Sequence, residues 1–165
     1  MDARILRVPV DQAVRLAVAD LLARYVDVID EGRLEAWPEL FAEKCRYLIT
    51  SAESFEEGLP HGVIYADSRG MLRDRVSALR EANIYEPQRY RHLVGPIWVE
   101  RETETTVRVR SNFLVIRIMH TGDTMLFATG VYRDLVDISS APYRFIERIV
   151  VTDSHKIDTL LAIPL

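Results

Sequence analysis

TTVRVRSNFLVIRIMHTGDTMLFATGVYRDLVDI, residues 105–138, reads as a long β-hairpin. In its first arm, Thr105 to His120, Val107, Val109, Phe113 and Val115 fall on one face and Leu114, Ile116 and Ile118 on the other. Side chains alternate across a strand, so the second half of this arm predicts a segment covered on both sides. Thr121-Gly122-Asp123 is the tight turn, and Thr124 to Ile138 is the return arm.

Outward from this hairpin the same period continues. His92 to Glu100 precedes it, and Tyr143 to Thr152 follows it across a turn at Ser139 to Pro142, which gives four long β segments. The N-terminal half has the helical period instead. A helix is predicted from about Asp11 to Glu31, entered through Pro9, with Val14, Val18, Leu21, Leu22, Tyr25 and Ile29 as its stripe and Gly32 as its stop. A short second helix carries Leu34, Trp37, Leu40 and Phe41 on one side, and Pro38 limits its length. Arg46 to Thr50 and Val63 to Tyr65 read as short strands separated by a polar loop, Ser51 to Gly62. Asp67 or Ser68 caps a third helix with the stripe Leu72, Val76 and Leu79. Helices followed by a long antiparallel meander define an α+β fold. A strongly curved sheet wrapped on such helices makes a cone with an internal pocket.

The 165 residues, 48% apolar, predict one domain spanning 1–165 with one core. The only cysteine, Cys45, lies in an apolar stretch and cannot form an internal disulfide, which fits a reducing cytoplasm. No apolar run reaches the roughly 20 residues of a membrane helix. The net charge of −4 argues against nucleic acid as a partner. Of 21 basic residues only Lys44 and Lys156 are lysine, and the other 19 are arginine. Arginine makes planar, two-pronged pairs with carboxylates and is enriched at interfaces; a GC-rich genome would leave the same bias.

One cysteine excludes a Rieske cluster in this chain, which needs two Cys and two His. His61, His92, His120 and His155 show no helical i, i+4 pairing of the kind a mononuclear iron site uses. Glycine-rich phosphate loops and the Gly-x-Ser-x-Gly motif are absent. The sequence therefore predicts no catalytic, cofactor-binding or metal residue. One acid–base constellation stays open: Asp30 or Glu31 at the end of the first helix, with His92 on a strand, facing one cavity as a dehydratase or isomerase would use them. The simpler reading makes Asp30-Glu31-Gly32 a solvated helix end and His92 a strand-edge residue with a hydrogen-bond partner. His120 and His155 read as exposed and His61 as structural.

Arg69, Arg73, Asp74, Arg75 and Arg80 decorate the third helix, as a solvated face with i, i+3 or i, i+4 ion pairs or as an interface. Arg89-Tyr90-Arg91-His92 opens the first long strand, and Arg89, Tyr90 and Arg91 are candidate anchors of a subunit contact. Trp98, beside Pro96 in sequence space, reads equally as core or interface.

Four segments carry a family resemblance: YVDVIDEGRLEAWPELF (25–41), YADSRGMLRDRVSALREA (65–82), YEPQRYRHL (85–93) and ERIVVTDSHKIDTLLAIPL (147–165). Together they resemble the small (β) subunits of Rieske-type aromatic-ring-hydroxylating dioxygenases over nearly the whole chain. GLPHGVIYADS, ALREANIYE and RIMHTGDT resemble in particular the branch acting on terephthalate, with the salicylate and anthranilate branches more distant. The resemblance implies the cone fold of nuclear transport factor 2 and scytalone dehydratase. It implies an α3β3 hexamer with β–β contacts, in which the large (α) subunit holds the Rieske [2Fe–2S] cluster, the mononuclear non-heme iron and the substrate pocket. A separate reductase would deliver electrons through that subunit. The family offers no catalytic residue to carry over to this chain, whose expected role is assembly.

Overall fold

A computed structural model describes residues 10–59, 62–81, 85–156 and 161–165. Pro9 and His61, singled out above, lie outside them.

Helix α1 spans Gln12–Asp30. Asp11 caps it by accepting a hydrogen bond from the Ala13 amide, and Gly32, at φ +70°, ends it in the left-handed conformation that glycine adopts without steric cost. The predicted second helix is instead two 3₁₀ turns, Leu34–Ala36 and Pro38–Leu40. Pro38 has no amide to continue an α-helix, and Phe41 already begins a strand. That strand, β1 (Phe41–Ser51), is twice as long as its apolar run, because Glu43 and Lys44 face solvent on it. The segment read as loop contains a short helix, α2 (Ala52–Glu56), capped by Ser51. Strand β2 is Ile64–Ser68, and Ser68 caps α3 (Arg69–Glu81) through the Met71 amide. The four long strands follow as β3 (Gln88–Arg101), β4 (Thr106–Met119), β5 (Thr124–Asp137) and β6 (Arg144–Thr152).

The six strands form one sheet in the order β2-β1-β6-β5-β4-β3. Every neighbouring pair is antiparallel except β1 with β6. Its inner face closes on α1, whose Val18, Leu21, Leu22, Tyr25, Val28 and Ile29 are all buried. The hairpin stripe Val107, Val109, Phe113 and Val115 is buried in the same cluster. This is the expected α+β cone, with helices packed on a curved, mostly antiparallel sheet. Gly130 shows how tightly the wall is drawn. A Cβ there would lie 2.9 Å from the Phe113 ring and 2.0 Å from the Val151 carbonyl oxygen, so only glycine fits. The space lets Phe113 stack on Tyr132 at a centroid distance of 4.3 Å.

The arginines of α3 do not form the expected pairs along their own helix. Arg73 binds Glu39, Arg80 binds Glu35, and the buried Arg69 binds Glu43 and the Phe41 carbonyl oxygen. These contacts strap α3 to the 3₁₀ turns and β1.

Candidate functional site

The chain brings two polar groups into the interior of the cone. The first joins the last residue of α1 to β3. Asp30 Oδ1 lies 2.5 Å from His92 Nδ1, and Asp30 Oδ2 accepts the His92 main-chain N–H at 2.9 Å. The two side chains are 4% and 0% exposed, so Asp30 is not the solvated helix end the simpler reading expected. Helix α1 packs its C-terminal turn against β3, which carries the carboxylate under the strand. Glu31, one residue on, faces solvent and pairs with Arg91. His92 Nε2 is buried with no protein hydrogen-bond partner. A carboxylate that orients an imidazole is an acid–base arrangement, and the burial of both side chains holds this one away from solvent.

The second group was not foreseen in the sequence. Arg148 on β6 makes a two-pronged pair with Asp134 on β5, at 2.8 and 2.7 Å, with both side chains fully buried. The guanidinium carbon lies 3.9 Å from the centroid of Tyr25 and 4.2 Å from those of Tyr132 and Phe145. Burial pushes the Asp134 carboxyl up, and the Arg148 charge opposes that rise. Burial works against the Arg148 charge too, but Asp134 outweighs it and keeps the guanidinium ionised above its ordinary range. Burial also drives the Tyr47 and Tyr132 hydroxyls well above 10.0, so both remain protonated. An inward arginine ringed by aromatic faces and held by one carboxylate is a structural clamp.

Among the described residues no group of three or more His, Cys, Asp or Glu side chains could hold a metal ion. Cys45 is buried on β1 and its thiol is pushed up by burial to about 11. His120 pairs with Glu86 at the surface, and His155 is exposed near the end of β6. No helix among the described residues is long and apolar enough to cross a membrane.

The interface candidates divide by strand parity. Arg89 and Arg91 are exposed on the outer face of β3, while Tyr90 between them points inward and is 3% exposed, tilted against Phe127 at 5.2 Å. Tyr90 is therefore a core residue in this chain, and its ring is not available as a surface anchor. Trp98 resolves to the surface at 44% exposure, with Arg110, its cross-strand partner, over its ring at 5.1 Å. It borders a groove of about 430 Å³ on the outer face, lined also by Phe55, Arg108, Arg133, Glu147 and Ile149.

The side chains of both interior polar pairs are buried, and the outer sheet face carries arginine and exposed apolar residues. Residues 24–159 match the model of the ring hydroxylating beta subunit family, and the chain belongs to that family. The terephthalate 1,2-dioxygenase terminal oxygenase component subunit beta 2 of Comamonas sp. is 44% identical over 150 residues, which cover 91% of this chain and 97% of that one. Among solved structures, a beta subunit assigned to an aromatic-ring-hydroxylating dioxygenase of Novosphingobium aromaticivorans superposes with a TM-score of 0.86 at 36% identity, covering 93% of this chain and 98% of that one. A protein of the scytalone dehydratase type from the same organism shares the fold, with a TM-score of 0.66 at 19% identity over 86% of this chain and 85% of its own.

Proposed function

We propose that this chain is the non-catalytic, structural β subunit of the terminal oxygenase component of a Rieske non-heme iron dioxygenase. The observation that carries this reading is the closure of the interior. The side chains of Asp30, His92, Asp134 and Arg148 are 0–4% exposed, so these ionisable groups are spent on packing. The Rieske [2Fe–2S] cluster and the mononuclear iron belong to a large α subunit. Its donor requirements, two Cys with two His and two His with a carboxylate, are ones that the single buried Cys45 and the scattered histidines do not meet. The assembly is an α3β3 hexamer with β–β contacts, working in the cytoplasm and supplied with electrons by a reductase acting through the α subunit. Its substrate is an aromatic carboxylate of the terephthalate kind, a reading supported by the similarity to the Comamonas subunit. Arg89, Arg91 and Trp98 on the outer face belong to the subunit contacts.

Co-expression with a large subunit that carries paired Cys/His Rieske motifs tests this. The expected result is a co-purified complex that oxidises one member of a panel of aromatic acids, while the isolated chain binds no stoichiometric iron and turns over none of them. Turnover by the isolated chain, or about one iron per chain in it, would overturn the reading.

A further inference from the structure

The last described segment, Leu161–Leu165, sits in the cone the way a ligand would. Leu161, Ile163 and Leu165 are 5%, 8% and 0% exposed and belong to the main core cluster. Yet the segment has no regular structure and pairs with no strand among the described residues. The hydrogen bonds that hold it come from side chains. Tyr25 Oη and Tyr47 Oη both reach the main-chain oxygen of Leu165, at 2.6 and 3.0 Å, and Arg75 Nη2 donates to the Leu161 carbonyl oxygen at 2.9 Å. Each tyrosine hydroxyl has one proton. When both are directed at Leu165, the 3.3 Å contact between the two hydroxyl oxygens is proximity and not a further bond. Two buried donors converging on one oxygen occupy both of its lone pairs and form a cradle for an acceptor. The Arg148 guanidinium, 3.9 Å from the centroid of the Tyr25 ring, adds positive potential beside it.

The wall behind this oxygen is built without the segment. Tyr25, Trp37, Phe41 and Tyr47 come from α1, the 3₁₀ turns and β1, and they pack on one another edge to face at centroid distances of 5.1–6.3 Å. What Leu165 presents to them is an isobutyl group joined to an acceptor oxygen.

We propose that this aromatic box is a binding site for a small branched or aromatic carboxylate, and that Leu161–Leu165 is its built-in competitor. The carboxylate takes the place of the Leu165 main-chain oxygen on Tyr25 and Tyr47, its apolar body replaces the Leu165 side chain, and Arg75 lies within reach as a counter-charge. A ligand binding only the state with the segment withdrawn shifts the chain toward that state in proportion to its concentration.

The test uses the full chain with 4-methylpentanoate, which reproduces the leucine skeleton without its amine, and benzoate as the aromatic arm. Leu165→Asp places a charge in the apolar part of the box and expels the segment. The folded variant, checked by circular dichroism, is expected to bind either acid at least about tenfold more tightly than the unaltered chain. Adding Tyr47→Phe removes one donor and is expected to weaken that binding by about fivefold. A folded Leu165→Asp chain that binds neither acid overturns the proposal, as does binding that Tyr47→Phe leaves unchanged. Should Leu165→Asp not fold, amide hydrogen exchange on the unaltered chain decides. Saturating 4-methylpentanoate must then speed exchange at residues 161, 162, 163 and 165 and leave β6 unchanged, and equal rates with and without it overturn the proposal.

Discussion

Arg148 is the residue on which the interior most depends, because its charge has no solvent to fall back on. Removing one partner of a buried ion pair leaves the other uncompensated, which costs about 3–5 kcal/mol. Arg148→Met is therefore expected to lower stability by that amount in urea denaturation, while Arg148→Met with Asp134→Leu recovers much of the loss. A single variant within about 1 kcal/mol of the unaltered chain would contradict the clamp. Asp134 was within reach of the sequence, since it shares its inward parity with Tyr132 and Val136, both fully buried. Arg148 was not. Phe145 and Arg148 are three positions apart and should face opposite ways, but the pairing of β5 with β6 shifts between Leu135 and Val136. An extra residue on β6 resets its phase and turns Arg148 inward, and no local pattern announces such a bulge. An acid at a helix end and a histidine on a strand are both visible in the sequence, which leaves Asp30 and Glu31 open as partners of His92 and favours a solvated helix end; the structure chooses Asp30. Its burial is not visible there, since that depends on where α1 lands on β3.

Strands were legible where they alternate and helices where their stripe is long. β4 and β5 fall within a residue of the expected bounds, whereas the 3₁₀ turns escaped because Leu34, Trp37 and Phe41 are buried without a continuous helix to place them. On β3, parity separates neighbours that the sequence had grouped. Tyr90→Ala empties a core position and is expected to cost about 3–5 kcal/mol. Arg91→Ala, at an exposed site, is expected to stay within about 1 kcal/mol. Equal losses on denaturation would mean that Tyr90 does not face inward. Helix α3 makes a separate prediction about pH. The Arg80 hydrogen bonds hold the Glu35 carboxyl below its ordinary value of 4.5, and Arg73 does the same for Glu39. A depressed carboxylate contributes stability above its unfolded pKa and loses it as the pH falls through the folded one. Both pairs are exposed, so Arg80→Gln is expected to cost only a few tenths of a kcal/mol at pH 7. The part of the gap that the Glu35 pair supplies should fade below pH 4.5, leaving only the bond from Arg80 to the Gly32 carbonyl oxygen, and a gap that does not shrink there would mean that the Glu35 pair contributes nothing.

For the whole molecule the question is what covers the outer face of the sheet. Leu93 pairs with Leu114 across β3 and β4, and Ile116 pairs with Arg91 on one side and Leu126 on the other. Leu93 and Leu126 are 52% and 64% exposed, and two sheet-long strands thus hold an apolar patch open to water with Arg91 at its border. The inner face is filled by α1, and α3 lies over β1 and β2, so among the described residues neither long helix packs on the patch. Contiguous exposed apolar surface rimmed by charge marks a partner site, and arginine is common among residues whose truncation costs an interface 2 kcal/mol or more. If the patch is where the large subunit docks, a charge placed in it leaves the isolated fold intact and prevents assembly. Leu126→Asp is expected to denature within about 1 kcal/mol of the unaltered chain, because the side chain is already solvated. Co-purification with the large subunit should fall sharply, and light scattering should show the unassembled species. Arg91→Ala should weaken assembly less, as a border contact does. A Leu126→Asp chain that assembles with unchanged yield and mass would move the docking surface elsewhere, with the Trp98 groove as the next face to probe.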